Sequence, residues 1–278
     1  KKLNIPFVSS TTTFAFNKDS AKVMQGSLKD LFKVLIQMGK AKKHIKRLQE
    51  NGYDIKNVLE IIQNDNDTNT IVYTSPEFQP YSDTFSDRYV FVGPSIRPTN
   101  EVFEKTREKL VYISMGTVNN DMTVFYKNCI DALKDSDYQV VLSVGSQVDI
   151  KQLENYVIKS KGKAQFYVFP YVNQIAVLKK ADAFITHCGM NSVSEALYFK
   201  VPLVMYPQTN EQKGVAFRVN ELEAGLYLSG DSISEIQIIL KELLQQSKYK
   251  ERATAISNSF SKCGGSQRAV EKILDVCF

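Results

Sequence analysis

The residues best placed to do chemistry lie in Thr186-His187-Cys188-Gly189-Met190-Asn191-Ser192-Val193-Ser194-Glu195. The apolar run Ala183-Phe184-Ile185 reads as a short buried strand, Cys188 to Ser192 as a tight turn, and Ser192 to Phe199 as a helix. A glycine-containing turn between a strand and a helix presents free backbone N–H groups and the positive end of the helix dipole, which suits an anion. His187 and Ser192 add side-chain donors to that turn. Glu195 lies one turn inside the helix, where a carboxylate can accept two hydrogen bonds from a vicinal diol such as a ribose. Leu203-Val204-Met205 reads as another strand, and Glu211-Gln212 lies just past its C-terminal end. Open α/β sheets bind ligands at that edge. Phosphate, ribose and a further polar group in this order describe a nucleotide site. The plainer alternatives are a Rossmann-like turn with a structural histidine, and a surface helix start at Glu211-Gln212.

These residues need a sheet to hold them. Leu110-Val111-Tyr112-Ile113-Ser114 reads as a strand ending in Met115-Gly116-Thr117, a small turn that lets backbone approach a phosphate. Further strands are predicted at 139–143, 165–168, 182–185 and 202–205. Helices are predicted near 121–135, 149–159, 173–180, 191–199 and 210–224. This alternation indicates a parallel sheet covered on both faces. Upstream, 70–74 and 89–92 are short β-branched and aromatic strands, and the Gly- and Pro-containing stretch 93–100 is the best linker. Past residue 230 the chain reads as helical over 232–246, 248–262 and, after Gly264-Gly265, 266–276.

Composition narrows the function. At 278 residues, with 43% hydrophobic residues, the chain can form two modest α/β domains. No apolar run approaches a membrane span and no signal peptide is visible. Cys129, Cys188, Cys263 and Cys277 lack metal-ligand spacing, so no metal is expected, and a reduced cytoplasmic setting is the simplest reading. Residues 1–50 hold 11 Lys/Arg against 3 Asp/Glu, a net +8, while the rest carries −3. That distribution argues against general nucleic-acid binding. Residues 19–50 read as one amphipathic helix or two in tandem, with Lys40, Lys42, Lys43, His44, Lys46 and Arg47 clustered between apolar positions. The cluster is either a solvated charged face or a peripheral contact with anionic membrane, at the inner membrane face.

The run Thr-His-Cys-Gly-x-Asn-Ser-x-x-Glu, followed by Pro-x-x-x-x-Pro-Gln and Glu-Gln, resembles the donor signature of the family 1 UDP-glycosyltransferases, and most of all their bacterial macrolide-type members. The resemblance is strongest over residues 165–212 and weaker over nearly the whole chain. It implies a GT-B fold of two Rossmann-like domains with parallel sheets. The expected domains are an N-terminal acceptor domain over 1–98, lacking its first β-α units, a donor domain over 99–262, and a helix over 263–278 that returns to the N-terminal domain. It assigns His187, Asn191 and Ser192 to a diphosphate, with Gly189 in the same loop, and Ser114 and Thr117 to the turn lining that diphosphate. Glu195 takes the ribose, and Glu211 with Gln212 the hydroxyls of a hexose, glucose by family habit. The base end falls at Tyr171-Val172-Asn173-Gln174, where the family has Trp-x-Pro-Gln. Tyr171 would stack on uracil unless it is a core aromatic; Val172 backbone would read the base edge, and Gln174 would bond the ribose.

The implied reaction is inverting, metal-independent transfer from a UDP-sugar to a hydroxyl of a small lipophilic or lipid acceptor, with no cofactor. The family's base is a histidine of the first β-α loop. Only His44 and His187 occur here, neither in that context, so the base is expected outside this sequence. A peptidoglycan-type UDP-GlcNAc transferase and a non-catalytic donor-binding subunit are the competing readings.

Overall fold

In a computed structural model of the chain, residues 5–17, 38–55, 67–116 and 122–278 are described. They form two compact units: residues 1–93 with 262–278, and residues 94–261.

The first unit holds a parallel three-stranded sheet of β1 (Ser9–Thr11), β2 (Thr70–Val72) and β3 (Tyr89–Phe91), in that spatial order. Ser9 pairs with Thr70, and Thr70 with Tyr89. Helix α1 spans Met38–Glu50; the remainder of the predicted 19–50 helix, residues 19–37, lies outside the described residues. The last helix of the chain also belongs to this unit: Ala269 packs with Ile71 and Val92, and the Gly265 N–H donates to the Val92 carbonyl at 2.9 Å. The turn into that helix is Gly264 at φ +86, a left-handed conformation glycine adopts at little cost. Gly264-Gly265 thus begins the last helix as well as ending the previous run.

The second unit is a parallel six-stranded sheet with helices between its strands. Its strands are β4 (Leu110–Ser114), β5 (Gln139–Ser143), β6 (Gln165–Phe169), β7 (Ala183–Thr186), β8 (Leu203–Met205) and β9 (Gly225–Tyr227), in the spatial order β6-β5-β4-β7-β8-β9. Between them run α2 (Thr123–Leu133), α3 (Ile150–Ser160), α4 (Gln174–Leu178), α5 (Met190–Tyr198) and α6 (Asn210–Glu221). Helices α7 (Ile233–Gln245) and α8 (Ser247–Ser261) follow β9, and α9 (Gly265–Cys277) is the last helix. Strands β4, β5, β7 and β8 are buried along their whole length, as apolar strands covered on both faces must be. The half-buried β6 closes one edge.

Two details depart from the sequence reading. Strand β9 has no counterpart among the predicted strands, because Gly225-Leu226-Tyr227 is too short to show a period. The compact units also divide after Gly93 rather than after residue 98. Residues 94–109 are tied to the second sheet: Gln139 accepts from the Thr106 N–H at 2.8 Å and donates to the Glu104 carbonyl at 2.9 Å, while Lys105 pairs with Asp182 at 2.6 Å. Within the stretch read as a linker, 93–100, Thr99 accepts from the Asn173 amide at 2.8 Å and from Lys179 at 3.2 Å.

Candidate nucleotide-sugar site

The strand order reverses its direction of winding between β4 and β7, since the chain moves outward to β5 and β6 and then returns to the far side of β4. Loops after two such strands part there and leave a crevice. The two loops are Ser114-Met115-Gly116 and His187-Cys188-Gly189, and β4 and β7 hold them in register, Ser114 opposite Thr186. Tyr126 of α2 pins the first loop by accepting from the Met115 N–H at 3.1 Å and donating to the Ser143 carbonyl at 3.2 Å.

His187 fills the space between the loops. A Cβ on Gly116 or on Gly189 would fall 2.7 Å from its Nε2, so both positions have room only for glycine. Gly116 also has φ +85. The ring is largely buried, which lowers its pKa, with the Ser114 backbone acting the other way. Its Nδ1 is buried without a hydrogen-bond partner of normal geometry. The imidazole thus props two glycine turns, whatever else it contacts.

Helix α5 begins at Met190, with Gly189 as N-cap and Cys188 at φ +66, one to two residues earlier than the sequence predicts. The first intrahelical bond at this end comes from the Val193 N–H to the Gly189 carbonyl at 3.0 Å. The N–H groups of Met190, Asn191 and Ser192 are left facing out of the helix end. Asn191 is exposed there and Ser192 is half-buried. Ser114 is buried and its hydroxyl accepts from the Gly116 N–H at 3.5 Å. Thr117 lies outside the described residues.

One helical turn in, Glu195 is half-buried and its Oε2 accepts from Gln174 Nε2 at 2.6 Å. The same amide nitrogen lies 3.4 Å from Ser192 Oγ, and Gln174 Oε1 accepts from the Tyr112 hydroxyl at 3.3 Å. Burial raises the Glu195 pKa above the ordinary glutamate value, while the Gln174 hydrogen bond and Arg97 act the other way. Gln174 is therefore bonded at both ends of its amide within the protein. The sequence reading had no reason to single out Tyr112 or Arg97: Tyr112 sits in an apolar strand, and Arg97 in a stretch read as linker.

Tyr171 is 56% exposed, so it is not a core aromatic. The loop behind it is held by Asn173, whose Oδ1 caps α4 through the Ala176 N–H and whose Nδ2 donates to Thr99 Oγ1 at 2.8 Å and Glu101 Oε2 at 3.0 Å. An asparagine in place of the family's proline shapes this turn by hydrogen bonds instead. Val172 is half-buried beside it.

Glu211 is exposed in the first turn of α6. Gln212 forms a capping box with Thr209, its Oε1 accepting from the N–H groups of Gln208 at 2.7 Å and Thr209 at 3.1 Å. The acceptor end of Gln212 is thus committed to the helix start, and the amide nitrogen is the end open to a ligand. Among the described residues no three His, Cys, Asp or Glu side chains converge as metal ligands.

A six-stranded doubly wound parallel sheet, with an uncapped helix N-terminus and a carboxylate at its switch point, defines a Rossmann-like α/β unit. A family model described as "UDP-glucoronosyl and UDP-glucosyl transferase" matches residues 80–262. The chain is 36% identical over 285 residues to an uncharacterized UDP-glucosyltransferase of Bacillus subtilis, YojK, covering 98% of this chain and 68% of that protein. It is 33% identical over 279 residues to the NDP-glycosyltransferase YjiC of the same organism, covering 98% and 68%. Among solved structures, the glycotransferase of kitacinnamycin superposes with a TM-score of 0.85 at 22% identity, over all of this chain and 72% of that one. The chain belongs to the family 1 UDP-glycosyltransferases, enzymes of the transferase class with the GT-B fold.

Proposed function

We propose that residues 94–261 bind a UDP-hexose, with glucose the preferred sugar, for inverting, metal-independent transfer to a hydroxyl of a small lipophilic or lipid acceptor. The observation that carries this reading is the convergence at one sheet edge of the open α5 N-terminus and the Glu195 carboxylate. The diphosphate lies on the N–H groups of Met190, Asn191 and Ser192 and beside Ser114, where the positive helix end offsets the charge that grows on the leaving group. Glu195 takes the ribose hydroxyls. Tyr171 offers its exposed ring to uracil beside Val172. Glu211 and the Gln212 amide nitrogen face the sugar hydroxyls; groups matched to particular hydroxyls discriminate strongly, because a wrong sugar leaves them unpaired. The names of the Bacillus relatives, UDP-glucosyltransferase and NDP-glycosyltransferase, support the donor class.

Removing the acceptor proton needs a base. His187 is enclosed by two glycines, and His44 is exposed on α1. We assign the base to neither. Residues 1–278 are therefore expected to bind UDP and UDP-glucose yet to transfer no sugar, since loss of a general base costs about a hundredfold to ten-thousandfold. Calorimetry with UDP and a donor-consumption assay against phenolic and lipid acceptors test this. Acceptor-dependent turnover by this chain would show that the base lies within it, and absent UDP binding would refute the site.

We also infer peripheral contact with anionic membrane through α1. There Lys43, His44, Lys46 and Arg47 are exposed while Ile45 is buried, and among the described residues no helix is long and apolar enough to cross a membrane. Sedimentation with vesicles should show binding that rises with anionic lipid and falls with salt. Equal binding to neutral vesicles would leave the cluster as a solvated face.

A further inference from the structure

Glu195 must present one carboxylate oxygen to its ligand while the other is held. The holder is the Gln174 amide, whose Nε2 lies 2.6 Å from Glu195 Oε2. An amide has two ends of nearly equal size, so something must fix which end faces the carboxylate. At the far end, Gln174 Oε1 accepts from the Tyr112 hydroxyl at 3.3 Å. Tyr112 lies in the middle of β4, is 1% exposed, and stacks its ring on Phe184 of β7 at 4.6 Å and 18°. Burial pushes its phenol up to about 12, with Ser114 and Ser143 acting the other way, so it stays protonated at neutral pH. A buried phenol of this kind is held rigidly by the sheet and needs a partner for its hydroxyl.

We propose that Tyr112 is a positioning residue for ribose recognition: its hydroxyl holds the Gln174 amide in the orientation that directs Nε2 to Glu195 and leaves the other carboxylate oxygen for the ribose. Turned over, the amide would set its oxygen against the carboxylate. The chain Tyr112–Gln174–Glu195 joins β4, α4 and α5 across the switch point, so the strand that orders the sheet also orients the binding group. This rests on Glu195 being the ribose acceptor.

The test measures affinity for UDP and for 2′-deoxy-UDP by calorimetry, the ratio of the two reporting ribose recognition apart from fold. Wild type should prefer UDP, and Glu195→Ala should abolish the preference. Tyr112→Phe should weaken UDP binding about two- to tenfold, the loss of one hydrogen bond, and lower the UDP to deoxy-UDP ratio. In a Gln174→Ala background the same substitution should cost nothing further, because it acts through that amide. A full ratio in Tyr112→Phe, or an additive loss in the double variant, overturns the proposal and leaves Tyr112 as packing. If Glu195→Ala keeps the ratio, the ribose reading itself fails and this proposal falls with it. Should Tyr112→Phe not fold by circular dichroism, Gln174→Leu carries the test: it too must lower the ratio, and a retained ratio overturns the proposal.

Discussion

Glu195 and His187 occupy one site but are shaped by opposite demands. Burial holds the Glu195 pKa above its ordinary value, so in the free protein the ionised form is disfavoured. The ionised form accepts from ribose hydroxyls at either oxygen and more strongly than the neutral acid, which keeps one oxygen for its own proton. UDP binding should therefore weaken as pH falls through the raised pKa, beginning above the usual glutamate range, and should release a proton there. The terminal phosphate of UDP has its own titration, near pH 6, so the difference between wild type and Glu195→Gln isolates the side chain. Identical pH profiles for the two would remove Glu195 from the ligand. His187 makes a steric demand instead. Gly189 has φ −60, which alanine tolerates, so the cost of Gly189→Ala is the clash with the imidazole. Thermal melts should show Gly189→Ala rescued by His187→Ala. Gly116→Ala should be rescued only in part, because its φ of +85 costs alanine about 1–2 kcal/mol by itself.

At the scale of the element, α5 and α6 present their N-terminal ends differently. Helix α5 starts on Gly189 with no side-chain cap, which leaves its first N–H groups available. Helix α6 starts on Thr209 with a full capping box, which occupies one end of Gln212. Thr209→Ala should thus cost about 1 kcal/mol of stability with little effect on UDP affinity. Gln212→Ala should lose similar stability and, in addition, weaken UDP-glucose but not UDP. If UDP-glucose and UDP are affected alike, Gln212 is a capping residue alone.

For the molecule as a whole, the described site lies entirely in residues 94–261, and the three-stranded sheet forms a separate compact unit. Ligand binding stabilises the state that binds it, by about 2.7 kcal/mol at a hundredfold excess over the dissociation constant. Hydrogen exchange with saturating UDP should show new protection at the C-terminal ends of β4 and β7 and at the start of α5. The amides of β1 to β3 should not change. Protection concentrated in the first unit instead would place the nucleotide elsewhere.

Much of the donor unit was legible in the chain because its signals are local. The β-α alternation, the turn between β7 and α5, and the place of Glu195 one turn into the helix all follow from residues a few positions apart. The Thr209-x-x-Gln212 pattern is local too, yet it reads equally as a helix start and as a sugar contact, and only coordinates show the cap being made. What the sequence could not determine depends on residues far apart in it. Tyr112 meets Gln174 across 62 positions, and Gln174 meets Glu195 across 21. His187 meets Gly116 only because β7 lies beside β4. Strand order decides those contacts. It is set by burying several apolar strands at once, a property no window of the chain contains, so the identity of the site residues was written locally while their partners were chosen by the fold.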